Sequence, residues 1–225
     1  MENFSLNNVV RLGGVVSQSP VLSHEIYDEK FYKVFIDVLR LSGQYDTLPI
    51  IVSEKVVDLN NLTNGTSVLI KGQFRSYNQP RNINNKLVLS IFVKEIEFKE
   101  LKEIELLNEI VLEGFLCKKP VYRKTPLGRE ISDVIIAVNR TYKKSDYIPC
   151  ILWGRNAKFS ENMEIGEKVK ITGRIQSRKY EKKISDTESV SKVAYEISVS
   201  IFSKAKENEE LSTLNNYNSI NKEEE

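Results

Sequence analysis

Apolar residues recur at every second position in five separate runs along the second half of this chain, the spacing of strands that bury one face. Ile110, Leu112, Gly114 and Leu116 form the first run, Val134, Ile136 and Val138 the second, and Ile148, Cys150 and Leu152 the third. Val169, Ile171, Gly173 and Ile175 form the fourth, and Tyr195, Ile197, Val199 and Ile201 the fifth. Between the third and fourth runs, residues 155–165 suit one short helix, ended by Gly166. The same pattern has already occurred once. Asn8, Val10, Leu12, Gly14, Pro20 and Val21 fall on Asn108, Ile110, Leu112, Gly114, Pro120 and Val121. Val34, Ile36, Val38, Arg40, Asp46 and Pro49 fall on Val134, Ile136, Val138, Arg140, Asp146 and Pro149. One residue further out of step, Gly65, Val68, Ile70 and Gly72 fall on Gly166, Val169, Ile171 and Gly173. Chance does not hold so many positions in register, so the chain reads as two copies of one domain.

Five antiparallel strands with a helix between the third and fourth describe the oligonucleotide/oligosaccharide-binding barrel, the OB-fold. The expected fold is therefore all-β: two tandem five-stranded OB-fold barrels and a disordered C-terminal tail. Residues 1–103 form the first domain, 104–204 the second and 205–225 the tail, whose Asn, Ser, Glu and Lys content cannot build a core. In the first copy, residues 53–64 take the place of the helix. Gly114 and Gly173 suit the sharp bends of a small barrel. The charged linker around 99–108 has neither Gly nor Pro and predicts a short, stiff connection, and residues 182–190 predict a mobile hairpin loop.

Composition narrows the function classes. Charged residues make up 28% of the chain, ordinary for a globular protein, and no apolar run approaches the roughly 20 residues of a membrane span. The N-terminus lacks the basic start and apolar centre of a signal peptide, so a cytoplasmic, nucleoid-associated location is expected. Cys117 and Cys150 sit in alternating apolar segments and read as reduced core thiols. His24, the single histidine, has no sequence-local partner for catalysis or metal binding. No phosphate-binding glycine loop or zinc-protease motif occurs, so neither enzymatic activity nor a cofactor or metal is expected. The net charge of +2 hides an uneven distribution. Residues 1–103 carry 12 basic and 12 acidic side chains, 104–203 carry 18 against 13, and 204–225 carry 3 against 6. The basic excess lies in the second copy, masked in the total by an acidic tail.

That second copy also holds the stretch with the clearest chemistry, Arg140 to Gly154 (RTYKKSDYIPCILWG), which contains Trp153, the only tryptophan. On an extended strand Tyr147 and Trp153 share one face, and Ile148, Cys150 and Leu152 share the other. One face suits a core and the other something flat. Nucleobases are flat, and Arg140, Lys143, Lys144 and Arg155 suit their phosphates.

Four segments of the second copy resemble the bacterial single-stranded DNA-binding protein family: PVYRKTPLGR (120–129), IIAVNR (135–140), YIPCILWGRNA (147–157) and GEKVKITGRIQSRKY (166–180). The resemblance implies sequence-independent binding and protection of single-stranded DNA in replication, recombination or repair. It also implies that bases stack on Tyr142, Tyr147, Trp153 and Tyr180, while Arg123, Lys143, Arg155, Arg178 and Lys179 join Arg140 in meeting phosphate. The first copy departs from the pattern. Ser42, Thr47 and Ser53 stand where the second has Tyr142, Tyr147 and Trp153, leaving Arg40, Arg75, Tyr77, Arg81 and Lys86 as secondary contacts. Its expected role is weak binding together with packing against the other copy or a second chain. Because family members present four such folds, a homodimer of two-fold chains would supply the set. The family's acidic tail closes on apolar residues that dock replication and recombination proteins; this chain ends NSINKEEE, so tail-mediated docking is not carried over. The competing reading is a primosome-type accessory protein whose barrels act as protein–protein adaptors; RNA or oligosaccharide binding are further uses of the fold.

Overall fold

Alternation becomes two closed barrels. The computed structural model describes residues 7–78, 87–141, 144–183, 185 and 189–205. The first barrel comprises β1 (Asn8–Ile26), β2 (Glu29–Leu39), β3 (Tyr45–Ser53), β4 (Ser67–Asn78) and β5 (Leu87–Phe98). The linker carries one helical turn, α1 (Leu101–Ile104). The second barrel comprises β6 (Asn108–Leu116), β7 (Val121–Lys124), β8 (Glu130–Asn139), β9 (Ser145–Trp153), α2 (Arg155–Ser160), β10 (Lys168–Lys183) and β11 (Ser189–Lys204). β7 pairs with β8 alone, so β6 and β7 together correspond to the single bulged β1. Pairings β1–β2 and β6–β8 close the two barrels.

Not every pairing is antiparallel. β3 runs parallel to β5, and β9 to β11, each over a short register. In each case the two strands are consecutive in the barrel but separated in sequence by the fourth strand, which is what makes a parallel closure reachable.

Each core collects the alternate positions. Ile36, Ile50, Ile70 and Ile91 are fully or almost fully buried in the first barrel, and Ile136, Ile148, Ile171 and Ile197 in the second. Gly114 and Gly173 are required by close approach. A Cβ at Gly114 would stand 2.4 Å from the Ala137 carbonyl oxygen, and one at Gly173 would stand 2.4 Å from that of Ser198. Their counterparts Gly14 and Gly72 meet the carbonyls of Asp37 and Phe92 in the same way.

The element between the third and fourth strands differs between copies. α2 buries Ala157 and Ser160 against the second barrel. In the first copy only a 3-10 turn forms, Leu59–Asn61, with the Asp58 carboxylate accepting from the Asn60 N–H. Val56, Val57, Asn60 and Asn61 are poor helix formers, and the Asp58 side chain offers the backbone a competing bond. The linker is as short as expected and is pinned: Ile104 is buried, and Gly13 N–H donates to the Leu107 carbonyl over 2.8 Å.

At 182–190 the strands run further than the sequence predicts, with Lys182 opposite Val190 and Lys183 opposite Ser189. The expected tail lies outside the described residues beyond Ala205. Both cysteines are free thiols; Cys150 is buried, and burial pushes its thiol pKa far up. No described helix is long and apolar enough to cross a membrane.

The barrels join edge to edge through their first strands. β1 and β6 pair antiparallel, with Asn8 opposite Leu112, Val10 opposite Ile110 and Leu12 opposite Asn108. Asn8 and Asn108 are repeat partners, as are Leu12 and Leu112, so the pairing is symmetric about Val10 and Ile110. The result is one eleven-stranded sheet folded into two barrels about an internal pseudo-dyad.

Candidate nucleic-acid interface

β9 turns its aromatic face outward as the alternation predicts. Ile148, Cys150 and Leu152 are buried, whereas Tyr147 is 45% and Trp153 37% exposed. The residue stands across from Ile131 on β8, and its indole donates the Nε1–H to Ser198 Oγ over 3.1 Å. This bond holds the ring on the sheet face with a substantial area still in solvent. One residue on, after Gly154, Arg155 is the first, exposed residue of α2.

Tyr180, Arg178 and Lys179 lie on β10, in the arm of the β10–β11 hairpin. The Arg178 guanidinium sits 5.8 Å from the Tyr180 ring centroid and lies within hydrogen-bond reach of the buried Glu196 carboxylate, at 3.3 and 3.4 Å. Arg178 is therefore partly committed, while Lys179 is exposed. Arg123 projects from β7 in an ion pair with Asp133, Nε to Oδ2 2.7 Å, which raises the guanidinium pKa further. A phosphate reaching Arg123 competes with that half-exposed carboxylate.

Arg140 and Arg40, which the sequence assigns to phosphate, are both engaged at the seam between the barrels. Arg140 pairs with the buried carboxylate of Asp146 and donates from Nη2 to the Ser76 carbonyl of the other barrel over 2.7 Å. The same carboxylate accepts from the Ser76 N–H, and Ser76 Oγ accepts from the Tyr147 N–H over 2.8 Å. The mirror arrangement uses Arg40, Asp46 and Ser177. Arg40 Nη2 donates to the Ser177 carbonyl over 3.0 Å, and Asp46 accepts from the Ser177 N–H and hydroxyl. Arg174 approaches the same carboxylate, at 3.5 Å. Carboxylates closed to water hold these guanidiniums at the seam in charge-assisted hydrogen bonds.

Tyr77 belongs to a groove between the barrels. Tyr77 from β4 and Tyr180 and Tyr195 from the opposite hairpin line a space of about 470 Å³, with Lys33, Pro49 and Pro149. Burial raises the hydroxyl pKa of both Tyr77 and Tyr195, which keeps the phenols neutral. Arg75 donates to Gln73 Oε1 over 2.7 Å and lies 4.3 Å from the Phe92 ring centroid. Tyr142, Lys143, Arg81 and Lys86 lie outside the described residues.

Several residues of this surface are not apparent from the sequence alone: Tyr195, Phe31, Phe92 and Lys33. The alternation Phe31, Lys33, Phe35 on β2 is a usable signal, since it places two rings and a cation on one strand face. Phe92 and Tyr195 give none, because their importance depends on which strands lie beside them. Among the described residues, no cluster of His, Cys, Asp and Glu could hold a metal ion.

Residues 107–203 match the family model described as the single-strand binding protein family. Single-stranded DNA-binding protein 2 of Listeria monocytogenes is 34% identical over 119 residues, covering 50% of this chain and 74% of that protein. Single-stranded DNA-binding protein 1 of Staphylococcus aureus strain COL is 39% identical over 83 residues, covering 34% of this chain and 50% of that one. The chain spans about half the length of most curated relatives it matches. In overall shape it resembles the crystal structure of the wild-type single-stranded DNA binding protein from Thermus aquaticus. The TM-score is 0.68 with 89% of this chain and 94% of that one covered; at 16% identity the likeness concerns the fold alone.

Proposed function

The chain belongs to the single-strand binding protein family, and on that footing we propose that it binds single-stranded DNA without regard to sequence, chiefly through its second barrel. The observation that carries this reading is the outward aromatic pair Tyr147 and Trp153, set on a strand whose other face is core and flanked by the exposed Arg155. Base stacking on such rings contributes about 1–3 kcal/mol per base and tolerates any sequence. Arg155, Lys179, Arg123 and the partly committed Arg178 supply charge for the phosphates, with Tyr180 extending the stacking track along the hairpin. Tyr142 and Lys143 belong to the same proposed set. The residues at 1–103 serve mainly as the partner barrel, those at 104–204 as the principal binding domain, and the acidic tail as a separate segment. Chemistry on the strand is not part of the role: the protein coats and protects DNA in the cytoplasm, at the nucleoid, during replication, recombination or repair.

Titration of Trp153 fluorescence with oligo-dT tests this. Strong quenching that weakens as salt rises is expected, because cations on the groove release counterions when phosphates bind. An unquenched, folded protein would sink the reading in favour of an adaptor acting through protein contacts.

Two such chains would present four OB-folds. The internal β1–β6 pairing already uses the first strands, so a homodimer must form through another face. Light scattering is expected to give twice the 25.9 kDa chain mass; the mass of a single chain would remove the dimer.

A further inference from the structure

Glu196 carries a charge that the fold does not require. It lies on β11 at 5% exposure, and its Oε1 accepts from the Gln176 Nε2–H over 2.9 Å. Burying a carboxylate is costly unless cations and donors answer it. In the first barrel the cross-strand pair corresponding to Gln176 and Glu196 is Arg75 and Ser90, and Ser90 is equally buried. A hydroxyl therefore closes that barrel where the second has an anion.

The carboxylate stands in the middle of the proposed stacking track. Glu196 and Ser198 are two apart on β11 and share a face, and Ser198 holds the Trp153 indole. Further along β11 toward its hairpin, the residues opposite Glu196, Ala194 and Lys192 are Gln176, Arg178 and Tyr180. The order along the sheet is thus Trp153, Glu196, Arg178, Tyr180. A strand stacked on both aromatic ends passes over the carboxylate.

Its partners are cations assigned above to phosphate. Arg178 Nε and Nη2 reach the carboxylate oxygens at 3.3 and 3.4 Å. These contacts are longer than the roughly 2.7–2.9 Å of a strong charge-assisted bond. The Arg178 side chain is 53% exposed, so it can turn from Glu196 to a phosphate in solvent. Arg123 feels the same anion: the Asp133 hydrogen bond does most to raise its guanidinium pKa, and the charge of Glu196 adds to it. On this part of the face the guanidiniums of Arg123 and Arg178 are matched by the carboxylates of Asp133 and Glu196.

We infer that Glu196 is an internal counter-anion that limits the affinity of the second barrel for single-stranded DNA, by occupying Arg178 until a phosphate takes its place. This deepens the single-strand binding proposed above and rests on it. A carboxylate offers a guanidinium a pair of anionic acceptor oxygens, as a phosphodiester does, so one can stand in for the other. Glu196 acts through Arg178 and touches no base in this role. Its consequence is a strand held chiefly by stacking and released readily, because part of the attraction to phosphate is already satisfied inside the protein.

Glu196→Gln in the full chain tests this, since the substitution removes the charge and keeps an Oε1 acceptor for Gln176. Affinity for oligo-dT is expected to rise by about two- to fivefold, the scale of a partly exposed ion pair. The salt slope should steepen by about 0.7, as one more phosphate is neutralised by the freed cation. A merely structural role predicts the opposite sign, because lost packing weakens binding. Glu196→Ser, which copies the first barrel, is the second variant and should give the same rise. Adding Arg178→Gln to Glu196→Gln should take away both the gain and the extra slope. Affinity and slope that stay at wild-type values or fall in both variants overturn the inference, and so does a gain that survives Arg178→Gln. Each of these leaves the second-barrel reading standing, since the wild-type protein still binds and is quenched. Wild-type protein that binds no oligo-dT overturns that reading together with this one.

Discussion

Asp146→Ala is expected to destabilise the protein by about 3–5 kcal/mol, the usual consequence of removing one partner from a buried ion pair. The Asp146 side chain is 1% exposed and answers two groups at once, the Arg140 guanidinium and the backbone N–H of Ser76 in the other barrel. Without the carboxylate, a guanidinium about three-quarters buried keeps only the Ser76 carbonyl, and the Ser76 N–H loses its acceptor. Both losses fall on the seam between barrels. Urea unfolding should show the destabilisation, and amide exchange should quicken first at Ser76 and Tyr147. Asp146→Asn keeps an acceptor for the N–H and should cost less. Asp46→Ala should cost at least as much as Asp146→Ala, because Arg174 as well as Arg40 loses its counter-charge. A loss below about 1 kcal/mol at both sites, the range of exposed ion pairs, would show that the seam does not depend on these carboxylates.

Removing both rings of β9, Tyr147→Ala with Trp153→Ala, is expected to weaken oligo-dT binding by about 2–6 kcal/mol, or roughly 30-fold to 20,000-fold. The salt slope should scarcely change, because stacking releases no counterions. Arg155→Ala or Lys179→Ala should do the converse, with a modest loss of affinity and a slope smaller by about 0.7 each. Trp153 also bonds to Ser198 across the barrel surface, so its truncation removes that bond along with the ring. Trp153→Phe separates these effects: it keeps a stacking ring, loses the Nε1–H bond, and should bind within a few-fold of wild type. If the double alanine variant is folded and binds as tightly as wild type, β9 is not the stacking face.

The repeat and the barrels are legible because period-two alternation is local: Ile148, Cys150 and Leu152 face inward whatever else the chain does. The aromatic face of β9 follows from the same rule. Proximity in sequence to the aromatics does not make a basic residue a phosphate contact. Arg140 lies seven residues from Tyr147, yet its guanidinium goes to Asp146 and across the seam to Ser76. The recurrence of the pair six residues apart, Arg40 with Asp46 and Arg140 with Asp146, marks a shared structural duty in both copies. It does not say that the duty reaches into the other barrel.

Local alternation and the repeat thus determined, by themselves, the strands, the two-barrel plan and the outward setting of Tyr147 and Trp153. Tertiary structure alone decided that Arg40 and Arg140 serve the seam, that the β1–β6 pairing makes a pseudo-dyad, and that Phe31 and Phe92 meet. The physical reason is range. A strand's two faces are set by neighbours two residues apart, whereas an ion pair across the seam or a ring stack between β2 and β5 depends on register between segments some 60 or more residues apart. That register is settled only when the barrels close.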